Sequence, residues 1–131
     1  MVSSSSHLRL GVLLNSPGDS FPDEALDENK RPINISLPYY IKIAKALEDA
    51  KLDFVMVADT VSSEVSPTRV PKFEPVTLFS ALASVTHTIG LIPTVSTTFT
   101  EPFNLARQIL SPAHLSSGRA GWNVVTSTAG H

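Results

Sequence analysis

The side chains that could do chemistry are Asp59 and the run Ser96-Thr97-Thr98, each just past the carboxyl end of a short apolar run, and Asn123, Thr126 and Ser127, along or after a fourth such run. One carboxylate, one amide and several hydroxyls can orient a planar, hydrogen-bonding ligand, but they are weak acid/base groups near neutral pH. Such a set suits a cofactor that brings its own reactivity. Serines and threonines also gather at strand ends as turn and cap residues, and a strand-end Asp59 can simply pin the following loop. Both explanations stand at this level. His7, His87, His114 and His131 have no metal-like spacing to one another or to a carboxylate cluster, so no metal site is expected. His87, at the end of a helical pattern, suits the helix dipole better than a catalytic role. Gly-x-Gly-x-x-Gly after the first strand, Gly-x-x-x-x-Gly-Lys-Ser/Thr and Gly-x-Ser-x-Gly are all missing, and there is no cysteine. The usual phosphate loops, the serine elbow and thiol chemistry therefore drop out, and no catalytic residue is assigned.

The elements that must position these groups alternate between two periodicities. Leu8 to Leu14, Phe54 to Ala58, Ile89 to Val95 and Trp122 to Val125 are short apolar runs of buried-strand character. Pro93 is awkward in the third, because a central strand loses a donor there and needs a bulge or a local break. Between the runs lie helical patterns. Ser36 is placed to cap a helix with an apolar stripe of Leu37, Tyr40, Ile41, Ala44 and Leu47, closed by Lys51-Leu52-Asp53. Glu74 and Pro75 open a second, with Leu78, Phe79, Leu82, Val85 and Thr86 inward. Thr100 is the expected N-cap of a third, whose inner face is Phe103, Ala106, Ile109 and Leu110 and which Pro112 should stop. Residues 1–7 read as a flexible leader. The long polar loop over 15–36 is either a functional lid or a disordered segment. Strands separated by helices of this length imply a parallel α/β sheet.

At 131 residues the chain fits a single domain over 1–131 and falls short of the roughly 250 residues of a complete βα barrel. A net charge of -2 gives no electrostatic case for nucleic acid or an anionic membrane. No apolar run approaches the about 18 residues of a membrane span, and the amino terminus lacks a signal-peptide pattern. A cytoplasmic location is the expectation.

The run Glu101-Pro102-Phe103-Asn104-Leu105-Ala106-Arg107, then His114-Leu115-Ser116, then Gly118-Arg119-Ala120-Gly121-Trp122-Asn123-Val124-Val125-Thr126-Ser127, resembles the bacterial-luciferase-like flavin monooxygenases. The likeness is to the branch with nitrilotriacetate monooxygenase, the pristinamycin synthase component and dibenzothiophene sulfone monooxygenase. It implies half of a TIM-type βα barrel, about four parallel units with the barrel incomplete. It also implies reduced FMN supplied by a separate flavin reductase, dioxygen, and a small-molecule substrate that receives one oxygen atom while the other leaves as water. On the matching positions, Asp59 becomes a strand-end acid near the flavin, Ser96, Thr97 and Thr98 lie beside its ring system, and Asn123 and Ser127 line its pocket. A non-proline cis peptide near Ser96-Thr97 is a further implication. Pro93, Ser111-Pro112-Ala113 and Ser117, which replaces a glycine before Gly118-Arg119, depart from the family pattern and should strain the fourth unit. Two functions follow as expectations: an FMN-dependent monooxygenase whose activity in this chain alone is impaired, or a non-catalytic half-barrel that pairs with itself or with a partner protein.

Overall fold

The computed structural model describes residues 8–14, 26, 29–30, 33–59 and 72–126. The leader, most of the 15–36 loop, the 60–71 loop and Ser127 lie outside the described residues. Four strands alternate with three helices: β1 (Gly11–Leu14), α1 (Leu37–Asp49), β2 (Phe54–Val57), α2 (Pro75–Ala83), β3 (Gly90–Ser96), α3 (Pro102–Leu115) and β4 (Asn123–Val125). All three strand pairings are parallel and the order is β1-β2-β3-β4. Sequential order is that of a βα barrel, since a doubly wound sheet reverses direction at its switch point. The chain forms half of such a barrel, with β1 and β4 as open edges among the described strands. No helix among the described residues is long and apolar enough to cross a membrane.

Because side chains alternate along a strand, Val55, Val57 and Leu91 face the helices. There they form the core with Tyr40 and Ala44 of α1 and Leu78, Phe79, Leu82 and Ala83 of α2. The helices make one layer, α1 against α2 and α2 against α3. Phe54, Met56, Ile92, Thr94, Ser96, Asn123 and Val125 occupy the opposite face, which a closed barrel turns inward.

Pro93 is accommodated by a local break without a bulge. Leu91 bridges Ala120, and the ladder to β4 resumes at Thr94 opposite Asn123 in the same register. Leu91 N–H donates to the Arg119 carbonyl (3.0 Å) and Thr97 N–H to that of Val125 (2.9 Å). The donor Pro93 lacks is the one that would face Gly121, so the gap falls on the β4 side while pairing to β2 through Val57 is kept.

Four local expectations are corrected. Ser36 is the N-cap of α1, but its side chain makes no capping bond. The N-cap of α3 is Glu101, not Thr100. Pro112 does not stop α3, which continues to Leu115. The ring is buried in the last turns, and its carbonyl still accepts from Ser116 N–H at 2.9 Å. The buried face of α3 is Leu105 and Pro112, whereas Phe103 is 73% and Leu110 55% exposed. Both faces of α3 carry apolar residues, and periodicity cannot tell which one is buried.

Candidate functional site

The carboxyl-terminal half of β3 and the short β4 paired with it bring together most of the polar residues singled out in the sequence. Ser96 is a buried strand residue whose Oγ accepts from Thr98 N–H (3.2 Å). The Thr97 hydroxyl is exposed and donates to the Val125 carbonyl at 3.3 Å. Asn123, half-buried, lies beside Thr94 in register, and its Nδ2 donates to Thr94 Oγ1 at 3.0 Å. Thr94 itself is buried. Thr94, Ser96 and Asn123 therefore share the inward sheet face, with Thr97 and Thr98 just beyond. Asp59 is placed differently. Just past β2, it is ion-paired with Lys72 at 3.2 Å, so it ties together the two ends of the 60–71 segment. Ser127 lies outside the described residues. The expected cis peptide near Ser96-Thr97 is not found, since every described peptide bond is trans.

The polar set matches a neutral, flat ligand with donors and acceptors along its edge. Asn123 uses one donor on Thr94, and a carboxamide has a second donor and a two-lone-pair oxygen to offer. Among the described residues no buried side-chain N or O lacks a partner. No group of three or more potential metal ligands occurs among them.

Three residues here carry weight that sequence reasoning missed. Thr94 reads in the sequence only as part of a strand, although its hydroxyl holds Asn123. Trp122, which reads as the start of β4, donates from Nε1 to the Val95 carbonyl at 3.2 Å. The Arg119 guanidinium reaches back to the carboxyl end of α2. Nη1 donates to Thr86 Oγ1 (3.1 Å) and the Ile89 carbonyl (2.7 Å), Nη2 to the Ala83 (3.3 Å) and Thr86 (2.8 Å) carbonyls, and Nε to the Ser116 carbonyl (2.9 Å). Its sequence signal is membership of the Gly118–Ser127 block, which identifies a family without assigning a role.

On the helix side of β4 lies an apolar groove of about 480 Å³ lined by Thr97, Pro102, Leu105, Ile109, Leu110 and Trp122 among others. Val124 is 58% exposed.

Sequential parallel strands with a polar group at their carboxyl ends define a ligand-binding barrel of the βα class. Within that class, the model of the luciferase-like monooxygenase family matches residues 9–131, and the chain belongs to that family. It is 45% identical over 130 residues to N-acetyl-S-(2-succino)cysteine monooxygenase of Bacillus subtilis (strain 168), covering 98% of this chain and 30% of that protein. Nitrilotriacetate monooxygenase component A of Aminobacter aminovorans is 42% identical over 105 residues, 70% of this chain and 23% of that one. Pristinamycin IIA synthase of Streptomyces pristinaespiralis and dibenzothiophene-sulfone monooxygenase of Rhodococcus erythropolis also match, so the branch named from the motif is the right one. Among solved structures, riboflavin lyase with modified FMN and riboflavin superposes with a TM-score of 0.73 at 33% identity, covering 93% of this chain and 30% of that one. The chain thus spans 23% to 31% of the length of these relatives.

Proposed function

We propose that this chain contributes one wall of the flavin site of an FMN-dependent monooxygenase, with Ser96, Thr97, Thr98 and Asn123 along the isoalloxazine edge. The observation that carries the reading is the juxtaposition of Thr94, Ser96 and Asn123 on one face of adjacent strand ends, in a chain of this family. Bound reduced FMN supplies the capacity to activate dioxygen for insertion of one oxygen atom into a small-molecule substrate. The protein's part is to bind and orient. Asn123, held by Thr94, presents its amide to the ring edge. The buried Ser96 hydroxyl fixes the turn at Thr98, and Asp59 holds the rim through Lys72. Ser127, two residues past β4, is assigned to the same pocket.

A relative named as component A implies a second component, and a separate flavin reductase is the partner that fits a cofactor arriving reduced. Titration of the full chain with FMN tests the proposal. Saturable quenching of flavin fluorescence is expected, weakened about tenfold or more in Asn123→Ala. No quenching up to millimolar FMN would remove the flavin from this chain.

A second reading has its own support. The groove beside Trp122 and the exposed Val124 and Leu110 leave apolar surface at an open sheet edge, which favours pairing with another copy or a partner protein. Sedimentation velocity separates the two, because a compact monomer at all concentrations overturns this reading and leaves the first intact.

A further inference from the structure

We infer that Arg119 is a positioning residue, which fixes the β3–β4 register that puts Asn123 on the pocket face and Trp122 on the helix side. The inference rests on the proposed flavin site for its functional meaning, but its geometry stands alone. The ladder that holds β4 is short. It comprises three residue pairs, Thr94 with Asn123 through Ser96 with Val125, and beyond the gap at Pro93 a single bridge of Leu91 to Ala120.

A strand held by so few pairs is weakly specified, and a slip of one residue would exchange the faces of Trp122 and Asn123. Arg119 removes that freedom. All five of its guanidinium N–H donors are used, four of the bonds going to Ala83, Thr86 and Ile89 at the end of α2 and the start of β3. The fifth closes on Ser116, the buried cap of α3. A planar fork satisfied on five sides has one seat, and its main chain is bonded to Leu91 beside it. With Arg119 seated, Asn123 reaches Thr94 and Trp122 reaches the Val95 carbonyl.

Trp122 is the lone tryptophan of the sequence, so its emission reports on β4 without any flavin. The full chain is compared with Arg119→Met, Arg119→Lys and Glu48→Gln. Glu48 braces the start of β3 from α1 and touches nothing in β4, so its variant controls for general destabilisation. At a temperature where far-UV circular dichroism is unchanged, Arg119→Met should red-shift Trp122 emission, raise its quenching by acrylamide and weaken FMN binding on the order of tenfold. Arg119→Lys, which keeps charge but not the fork, should fall between it and the parent, and Glu48→Gln should match the parent in both readouts. Unchanged Trp122 emission in a folded Arg119→Met, or an equal shift in Glu48→Gln, overturns the inference. Should Arg119→Met not fold, Arg119→Lys and Thr86→Val, which removes one acceptor, decide by the same signal. If the parent binds no FMN, the flavin proposal fails while Trp122 still decides on Arg119.

Discussion

At the scale of single residues, the turn after α3 stores strain that the sequence signals by a departure from its family. Ser117 has φ +55°, in the left-handed region where a side chain costs about 1 kcal/mol, and Gly118 follows at +88°. Ser117→Gly relieves that cost but loosens the unfolded chain, so a net gain of about 0.5 kcal/mol is expected in urea unfolding. Gly118→Ala should lose about 1 kcal/mol by the same measurement, although no atom would touch the new methyl group, because the penalty lies in the backbone alone. Glu48 shows the opposite balance. Desolvation would raise its pKa, yet bonds from Thr88, Ile89 and His87 N–H and the Thr88 hydroxyl outweigh it and bring the carboxyl from 4.5 to about 2. A lowered pKa contributes stability that is complete above about pH 4.5 and is lost as pH falls through about 2. Discounted for solvent screening, that contribution is about 1–2 kcal/mol. Glu48→Gln should lose it at neutral pH and should flatten the pH dependence of the unfolding midpoint across that window. His87, expected to act through its ring on the helix dipole, acts here through its main-chain N–H.

At the scale of elements, two helices start with the same dipeptide and are capped differently. Glu74-Pro75 and Glu101-Pro102 both place an extended glutamate before the first helical proline. Glu74 accepts from Val76 N–H, Thr77 N–H and the Thr77 hydroxyl at 2.7–2.9 Å, whereas Glu101 makes no capping bond. Glu74→Ala should therefore cost about 1 kcal/mol and Glu101→Ala less than about half of that, while Glu101→Ser, which supplies a short cap, should stabilise. Chemical denaturation of the three variants checks the order. The strands were legible as short unbroken apolar runs between polar stretches, and the inner stripe of α1 because the face opposite it is polar. The stripe of α3 was not, because Phe103, Ala106 and Leu110 compete with Leu105, Ile109 and Pro112 for the same period. The candidate site was legible only in part. Strand ends revealed Ser96 and Asn123, but nothing in local spacing ties Arg119 to Thr86, 33 positions earlier.

At the scale of the whole molecule, charge and function separate along the strands. The amino ends carry the charged staples. Asp53 joins Leu10 and Arg9 of the first unit to the start of β2, Glu48 grips residues 87–89 before β3, and Arg119 grips α2 before β4. The carboxyl ends of β3 and β4 carry the uncharged polar set, with the Asp59–Lys72 pair past β2 the one charged staple described on that rim, a division in keeping with a barrel in which one rim mainly stabilises and the other binds. What this half-barrel leaves open is the helix side of β4, where α3 and Trp122 border an apolar groove with no described element over it and Val124 is exposed. A surface of this kind should take up a hydrophobic dye while the chain is fully folded. Anilinonaphthalene sulfonate fluorescence is therefore expected to rise on adding native protein, and Leu110→Glu should reduce that rise at least twofold, on the order of 1 kcal/mol or less in dye affinity. Because Leu110 is 55% exposed, the same substitution should shift the unfolding midpoint little. Dye binding that survives Leu110→Glu would place the open apolar surface elsewhere, with the barrel-facing side of Leu13, Met56 and Ile92 the next to test.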